Sequence, residues 1–360
     1  MKAAVGYEPG KPLVLEDVTL DPPKYREVKV KLSATAVCHS DIHALNGDLG
    51  PIFPTIGGHE SAGVVDSVGP GVTTVKPGDH VVVSLVANCG ECYFCLSAMP
   101  HLCEYPFPLK TESRFKNKKG QSLSQMFKVG GFAEYTIVDH SQVVKIPNDM
   151  EMDCAALLAC GVITGFGSVV WRTEVKSMHS VVVLGAGGVG LNSVQGAAFS
   201  GAYPVIAVDV VDAKLEAAKI FGATHVINAK KTDAIAEVKK LCYGRGADYV
   251  FVTVGSGAAM TQGFRMTGGR GTCVIVGLPT PTDNTLSMSP FEFLDRERIL
   301  TGSYMGSTNL QIGIPKLVEL YKAGKLKLNE LITNHYPLEK INIAMDEVLA
   351  GKALRNLIMF

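Results

Sequence analysis

The sequence predicts an α/β protein of two domains, one a doubly wound parallel sheet and the other mostly β. Three observations predict it. The stretch from Ser180 to Asp209 reads as one strand, a glycine turn, one helix and a second strand. From Ser177 to about Leu278, apolar runs alternate with helical ones, as in a sheet covered by helices on both faces. Before residue 150 the pattern is instead strand-like, with Val28 to Leu32 and the run 132–147 as its clearest parts and prolines and glycines between them.

The glycine turn carries the first functional signal. Val181 to Leu184 is short and wholly apolar, as a parallel strand buried on both faces must be. Gly185, Gly187 and Gly190, with Gly188 and Val189 among them, then complete GxGxxG. Its glycines serve a tight turn, close approach of backbone to a pyrophosphate, and close packing of helix on strand. The helix that follows offers its free N-terminal amides to the same group. The next strand, Val205 to Val208, ends in Asp209, whose carboxylate can accept from a ribose 2′-hydroxyl and repel a 2′-phosphate. This pattern predicts dinucleotide binding, with NAD as cofactor. Val254 and Gly277, followed by Leu278, fall at the carboxyl ends of later strands, where such sheets bind ligands. Lys214, five residues past Asp209, is a second candidate for the adenosine ribose.

Composition narrows the class. With 360 residues, 47% hydrophobic and 19% charged, the chain can bury two cores. Its 34 basic and 34 acidic residues cancel, so no global charge favours nucleic acid or anionic lipid. No export signal and no uninterrupted apolar run of spanning length is legible, which predicts a soluble, cytoplasmic protein. In that setting nine cysteines, four of them between Cys89 and Cys103, point to metal rather than disulfides.

Two stretches have metal-binding character. In the segment VCHSDIHALNGD, Cys38, His39, Ser40, Asp41 and His43 crowd together, and Gly58-His59-Glu60 follows. A thiolate and an imidazole suit zinc, and a catalytic zinc takes three protein ligands and keeps a fourth position open. Cys89, Cys92, Cys95 and Cys103 form CxxCxxCxxxxxxxC, which can close a structural tetrathiolate zinc site. An iron–sulfur cluster competes, although ferredoxin-type spacing places the next cysteine after three residues and before proline. Here seven residues intervene and Glu104 follows. The basic segment within residues 105–130 reads as a solvated loop, and residues 150–170 as a helix, a break at glycine after Cys160, and a second helix.

The run GHExxGxxxxxGxxV, from Gly58 to Val72, resembles the signature of zinc-containing alcohol dehydrogenases, within the medium-chain dehydrogenase/reductase family. The resemblance extends over nearly the whole chain. It implies a Rossmann domain (162–304) and a GroES-like catalytic domain (1–161, with a structural zinc lobe at 86–108) to which residues 305–360 return. It implies two zinc ions, a catalytic one on Cys38, His59 and Cys160 with Glu60 able to approach it, and a structural one on the four-cysteine lobe. Asp41 would orient His59. Ser40 and His43 match the family's proton relay, Thr164 a place behind the nicotinamide, and Arg355 a guanidinium on the cofactor pyrophosphate. His39 stands where many members carry an arginine for that pyrophosphate. Leu85 replaces an aromatic ring that often narrows the substrate channel, and Asp48 brings a polar group near the pocket mouth.

The implied reaction is reversible hydride transfer between a small-molecule alcohol, more readily a primary one, and NAD. The implied assembly is a homodimer, with a tetramer possible. A glutathione-dependent formaldehyde dehydrogenase and a polyol dehydrogenase are the neighbouring alternatives. The second usually has glutamate at the Cys160 position, and no clear basic site awaits a glutathione adduct. A zinc-free quinone reductase would lack Cys38 and the cysteine lobe. A nucleic-acid-binding zinc ribbon is disfavoured by the neutral charge and the absence of interleaved aromatic and basic residues around the lobe.

Overall fold

A computed structural model describes residues 1–50 and 53–360. Two compact units emerge, one built from Met1–Gly161 and Asn309–Phe360, the other from Val162–Thr308.

The second unit is a six-stranded parallel sheet. Its strands lie in the spatial order His225–Asn228, Val205–Asp209, Val181–Leu184, Ala247–Val252, Thr267–Ile275 and Ile299–Gly302. In chain order this is 3-2-1-4-5-6, the doubly wound order of dinucleotide-binding sheets. Val181–Leu184 occupies the centre because all four of its side chains are apolar and can be covered on both faces. Order reverses between that strand and Ala247–Val252, so Gly185, Thr253 and Val254 gather at the switch point.

The first unit holds a closed barrel and a seven-stranded sheet. Lys2–Gly6, Val14–Leu20, Phe115–Asn117, Ser122–Gln125 and Thr55–Ile56 form the barrel around Phe115, Leu123, Ile56 and Phe132. In the sheet the long strand Glu27–Ala36 is central, pairing with Glu60–Val68, Tyr135–Asp139 and the C-terminal Arg355–Met359. The last of these registers sets Leu357 opposite Ala36, which brings the chain's end beside its first metal-binding segment.

Two sequence expectations are corrected. The basic stretch within 105–130 is not merely a solvated loop. Phe115–Asn117 and Ser122–Gln125 are barrel strands whose Phe115 and Leu123 are fully buried. Alternation explains it, since Lys116 and Lys118 point outward to Asp21 and Asp17 while their neighbours face the core. The adjoining Arg114 is only 2% exposed, and its Nε lies 2.9 Å from the Oε2 of Glu27, itself 4% exposed. Arg114→Ala strands a buried carboxylate and should cost about 3–5 kcal/mol. Lys118→Ala, which breaks an exposed pair, should cost about 0–1 kcal/mol. Urea denaturation midpoints measure both, and equal effects would contradict the buried-pair account.

The second correction concerns the glycine after Cys160. Met152–Leu157 continues through a π-turn, Leu158–Val162, into Ile163–Val170 without a break. This 19-residue helix is long and apolar enough to cross a bilayer, but it is mostly buried inside the protein, so it is a core helix.

Candidate active site and metal centres

Cys38 ends the turn out of Glu27–Ala36 and caps the helix His39–Leu45. Three residues on, Asp41 reaches back, its Oδ2 accepting from Cys38 N at 3.2 Å. Its Oδ1 accepts from Gly58 N at 3.1 Å and pairs with His59 Nδ1 at 2.8 Å. Gly58 has φ +87°, and a Cβ there would stand 2.7 Å from Phe132 N, so the motif's glycine is required by the backbone. With Nδ1 committed to Asp41, His59 turns Nε2 inward. That atom is buried and has no hydrogen-bond partner among the described residues.

Around it stand Cys38, Glu60 and Cys160, and the four ligand atoms lie within 4.8 Å of one another in full burial. Glu60 Oε1 lies 4.0 Å from His59 Nε2 and accepts from Arg355 Nη2 at 2.9 Å. The hydrogen bond from Cys160 holds the Cys38 thiol well below its ordinary pKa against the opposing effect of burial, while the same contact and burial push Cys160 well above. Burial works to lower the pKa of His59 and is outweighed by Asp41 and Cys38, giving a net rise. Burial pushes Asp41 up, with His59 opposing it, and lifts Glu60 to about 8 against the Arg355 charge. A buried group of two thiols and an imidazole nitrogen with no hydrogen-bond partner among the described residues, oriented by a carboxylate, fits a zinc ion.

The second cysteine cluster is closed. Sγ–Sγ separations are 3.9 Å for Cys89–Cys95, 3.8 Å for Cys92–Cys103 and 3.6 Å for Cys89–Cys103. Four sulfurs at about 2.3 Å from one zinc lie about 3.8 Å apart, whereas a disulfide needs about 2.05 Å. Backbone amides of Cys89, Glu91 and Cys92 donate to sulfur, as thiolates require. Amide donation, that of Cys95 foremost, lowers Cys92 to about 6, while burial raises Cys103 to about 12 and Cys95 upward. The donor set fits a structural zinc.

In the second unit the three motif glycines have different reasons. Gly185 has φ +100°, and a Cβ on Gly190 would fall 1.8 Å from Gly185 O, so both are fixed by the protein's own packing. Gly187 has φ −83° and a Cβ there would meet nothing within 4 Å. Its side of the turn is an open cradle at the start of Gly188–Phe199, the place where a pyrophosphate would sit. Asp209 accepts from Ala186 N at 2.7 Å, Val210 N at 2.7 Å and Val211 N at 3.0 Å. A carboxylate offers about four lone-pair sites, so one remains for a ribose hydroxyl.

Comparison with known proteins agrees with this arrangement. A model of the alcohol dehydrogenase GroES-like domain matches residues 24–148, and one of the zinc-binding dehydrogenase matches residues 188–323. The NDMA-dependent alcohol dehydrogenase of Amycolatopsis methanolica is 40% identical over 365 residues, covering 99% of this chain and 98% of that protein. The chain belongs to the zinc-containing medium-chain alcohol dehydrogenases. Alcohol dehydrogenase 1 of Pisum sativum is 37% identical over 99% of this chain and 96% of its own length. Among solved structures, benzyl alcohol dehydrogenase from Acinetobacter calcoaceticus superposes with TM-score 0.93 at 31% identity, covering 100% of this chain and 99% of that one. Like these relatives, this alcohol dehydrogenase is an enzyme of alcohol oxidoreduction.

Other residues singled out in this alcohol dehydrogenase are dispersed. Ser40 Oγ is 3.8 Å from Cys38 Sγ, and His39 is exposed at the start of the same helix. His43 Nδ1 pairs with Asp48 Oδ2 at 2.9 Å, so Asp48 is the partner of a relay candidate rather than only a polar group at a pocket mouth. Leu85 is half-buried against the core of the long sheet. In the other unit Thr164 is buried with Oγ1 3.5 Å from Met305 Sδ, Val254 and Leu278 are exposed, and Lys214 is half-buried on the helix Asp212–Ile220. A Cβ on Gly277 would meet the Val254 carbonyl carbon at 2.5 Å, so that glycine serves strand packing.

Arg355, which the resemblance places on the cofactor pyrophosphate, is 4% exposed and donates to Glu60 Oε1 and Val37 O, because its strand lies beside Glu27–Ala36. Phe127 escaped the sequence reading altogether. Its ring sits edge-on to His59, centroids 4.9 Å apart, and both Phe127 and Lys128 hold positive φ.

Proposed function

We propose that this chain is an NAD-linked, zinc-dependent alcohol dehydrogenase that converts primary alcohols and aldehydes reversibly and works as a cytoplasmic homodimer. The observation that carries the reading is the buried group of Cys38, His59 and Cys160, in which His59 Nε2 has no hydrogen-bond partner among the described residues. When bound, zinc supplies Lewis acidity for the alcohol or carbonyl oxygen, and NAD supplies the hydride acceptor. The chain's residues do the rest. Cys38, His59 and Cys160 hold the ion, and Asp41 fixes the His59 tautomer so that Nε2 faces inward. Ser40 accepts the alcohol's proton at Oγ, and His43, steadied through Nδ1 by Asp48, delivers it to solvent. Glu60, tethered by Arg355, stands by as a fourth donor. Gly187 leaves room for a pyrophosphate, and Asp209 favours a ribose bearing a free 2′-hydroxyl.

The test is a panel of primary, secondary and aromatic alcohols and S-hydroxymethylglutathione, each with NAD, NADP or NDMA as acceptor, with and without a chelator. NDMA is included because a relative 40% identical depends on it. Primary alcohols with NAD should be preferred, and the chelator should abolish turnover. Chelator-resistant activity, or preference for NADP, would overturn the reading.

A further inference from the structure

Cys160 lies inside the π-turn Leu158–Val162, where carbonyls slip from their i+4 partners toward i+5. Such turns are costly local departures from the α-helix and persist only when surrounding groups hold them. Two groups of this chain do so, one at each neighbour of Cys160. On the C-terminal side, a Cβ on Gly161 would fall 1.5 Å from Arg355 Nη2, so the guanidinium packs against the bare Cα. On the N-terminal side, the fully buried Ser84 donates from Oγ to the Ala159 carbonyl at 2.6 Å, across 75 residues of sequence.

Ser84 is itself immobilised. It follows the strand His80–Val83, its N donates to Gln142 O at 3.0 Å, and its carbonyl accepts from Gln142 Nε2 at 2.9 Å. Gln142 is also fully buried. A hydroxyl on so fixed a post defines where the Ala159 carbonyl can lie, and with it the direction of the next side chain.

We propose that Ser84 is a positioning residue for the metal centre, holding the π-turn in the shape that aims Cys160 Sγ at Cys38 and His59. It touches neither metal nor substrate. The proposal rests on Cys160 being a metal ligand. Ala159 has the alternative of relaxing toward an α-helical bond when the hydroxyl is removed, which would rotate the Cys160 side chain while the helix stays intact.

The test uses the full-length protein with zinc, and with cobalt(II) as the spectroscopic probe. Ser84→Ala should weaken metal binding at the Cys38 centre by about 10–100-fold, the range for losing an outer contact to a ligand. It should also alter the thiolate-to-cobalt absorption of that centre, while the four-cysteine lobe keeps its metal and its spectrum. Ser84→Thr retains the hydroxyl and should restore both, whereas Ser84→Val, of the same shape without it, should not. Wild-type affinity and spectrum in Ser84→Ala, or equal behaviour of the Thr and Val variants, overturns the proposal. So does loss of both metals together with the cooperative melt, because the hydroxyl would then serve the fold as a whole. Cys160→Ser is the control: if it retains full metal content and the wild-type spectrum, the ligand reading itself fails, whatever Ser84 does.

Discussion

Cys160→Ser should abolish alcohol turnover while leaving the fold in place. Serine offers a hydroxyl that stays protonated at neutral pH, whereas zinc prefers thiolate or imidazole, so the site falls to two good donors. The loss should exceed the roughly 10–100-fold that follows from removing a hydrogen bond behind a ligand. Burying a hydroxyl in place of a thiol costs about 1–3 kcal/mol at most, too little to unfold the first unit. Steady-state rates with a primary alcohol, beside far-ultraviolet circular dichroism, measure both halves. Turnover near the wild-type level would remove Cys160 from the chemistry.

Gly187→Ala should separate cofactor binding from folding. The added methyl meets no atom of the protein within 4 Å, and the backbone there has φ −83°, open to any residue. Stability should therefore change by about 1 kcal/mol or less, as for other residues at helix starts. The methyl projects into the cradle over the helix's first amides, so the dissociation constant for NAD should rise by about tenfold or more, equal to about 1.4 kcal/mol. Gly190→Ala should behave oppositely, since its methyl would sit 1.8 Å from Gly185 O and must disrupt the turn. Calorimetric titration with NAD and thermal melts distinguish the two. A Gly187→Ala variant that binds NAD normally would remove the turn from the cofactor site.

Much of this was legible in the sequence. The glycine turn reads directly because its spacing is local, all of it lying within six residues between a strand and a helix. Cysteine spacing reads for the same reason, and the sulfurs of Cys89, Cys92, Cys95 and Cys103 fall together. What escaped depends on distant partners. The alternation in Phe115–Asn117 was hidden by lysines, and only pairing with Asp17 and Asp21 shows that these charges face outward. The π-turn needs Ser84 and Arg355, 75 and 194 residues from the Ala159 and Gly161 they pack against, so no local propensity announces it. Asp48 lies just past the end of His39–Leu45, and its spacing from His43 could have marked it as a helix-end partner. The contact of Arg355 with Glu60 was not legible, because one guanidinium can serve a pyrophosphate or a carboxylate equally well, and only the register beside Ala36 puts it on Glu60.

The most direct measurement is the zinc content of the purified, active chain, by elemental analysis against protein concentration. Two donor groups of different character, one buried around His59 and one half-exposed around Cys89, predict two zinc ions per chain. Full activity with one zinc ion per chain or none would contradict the account.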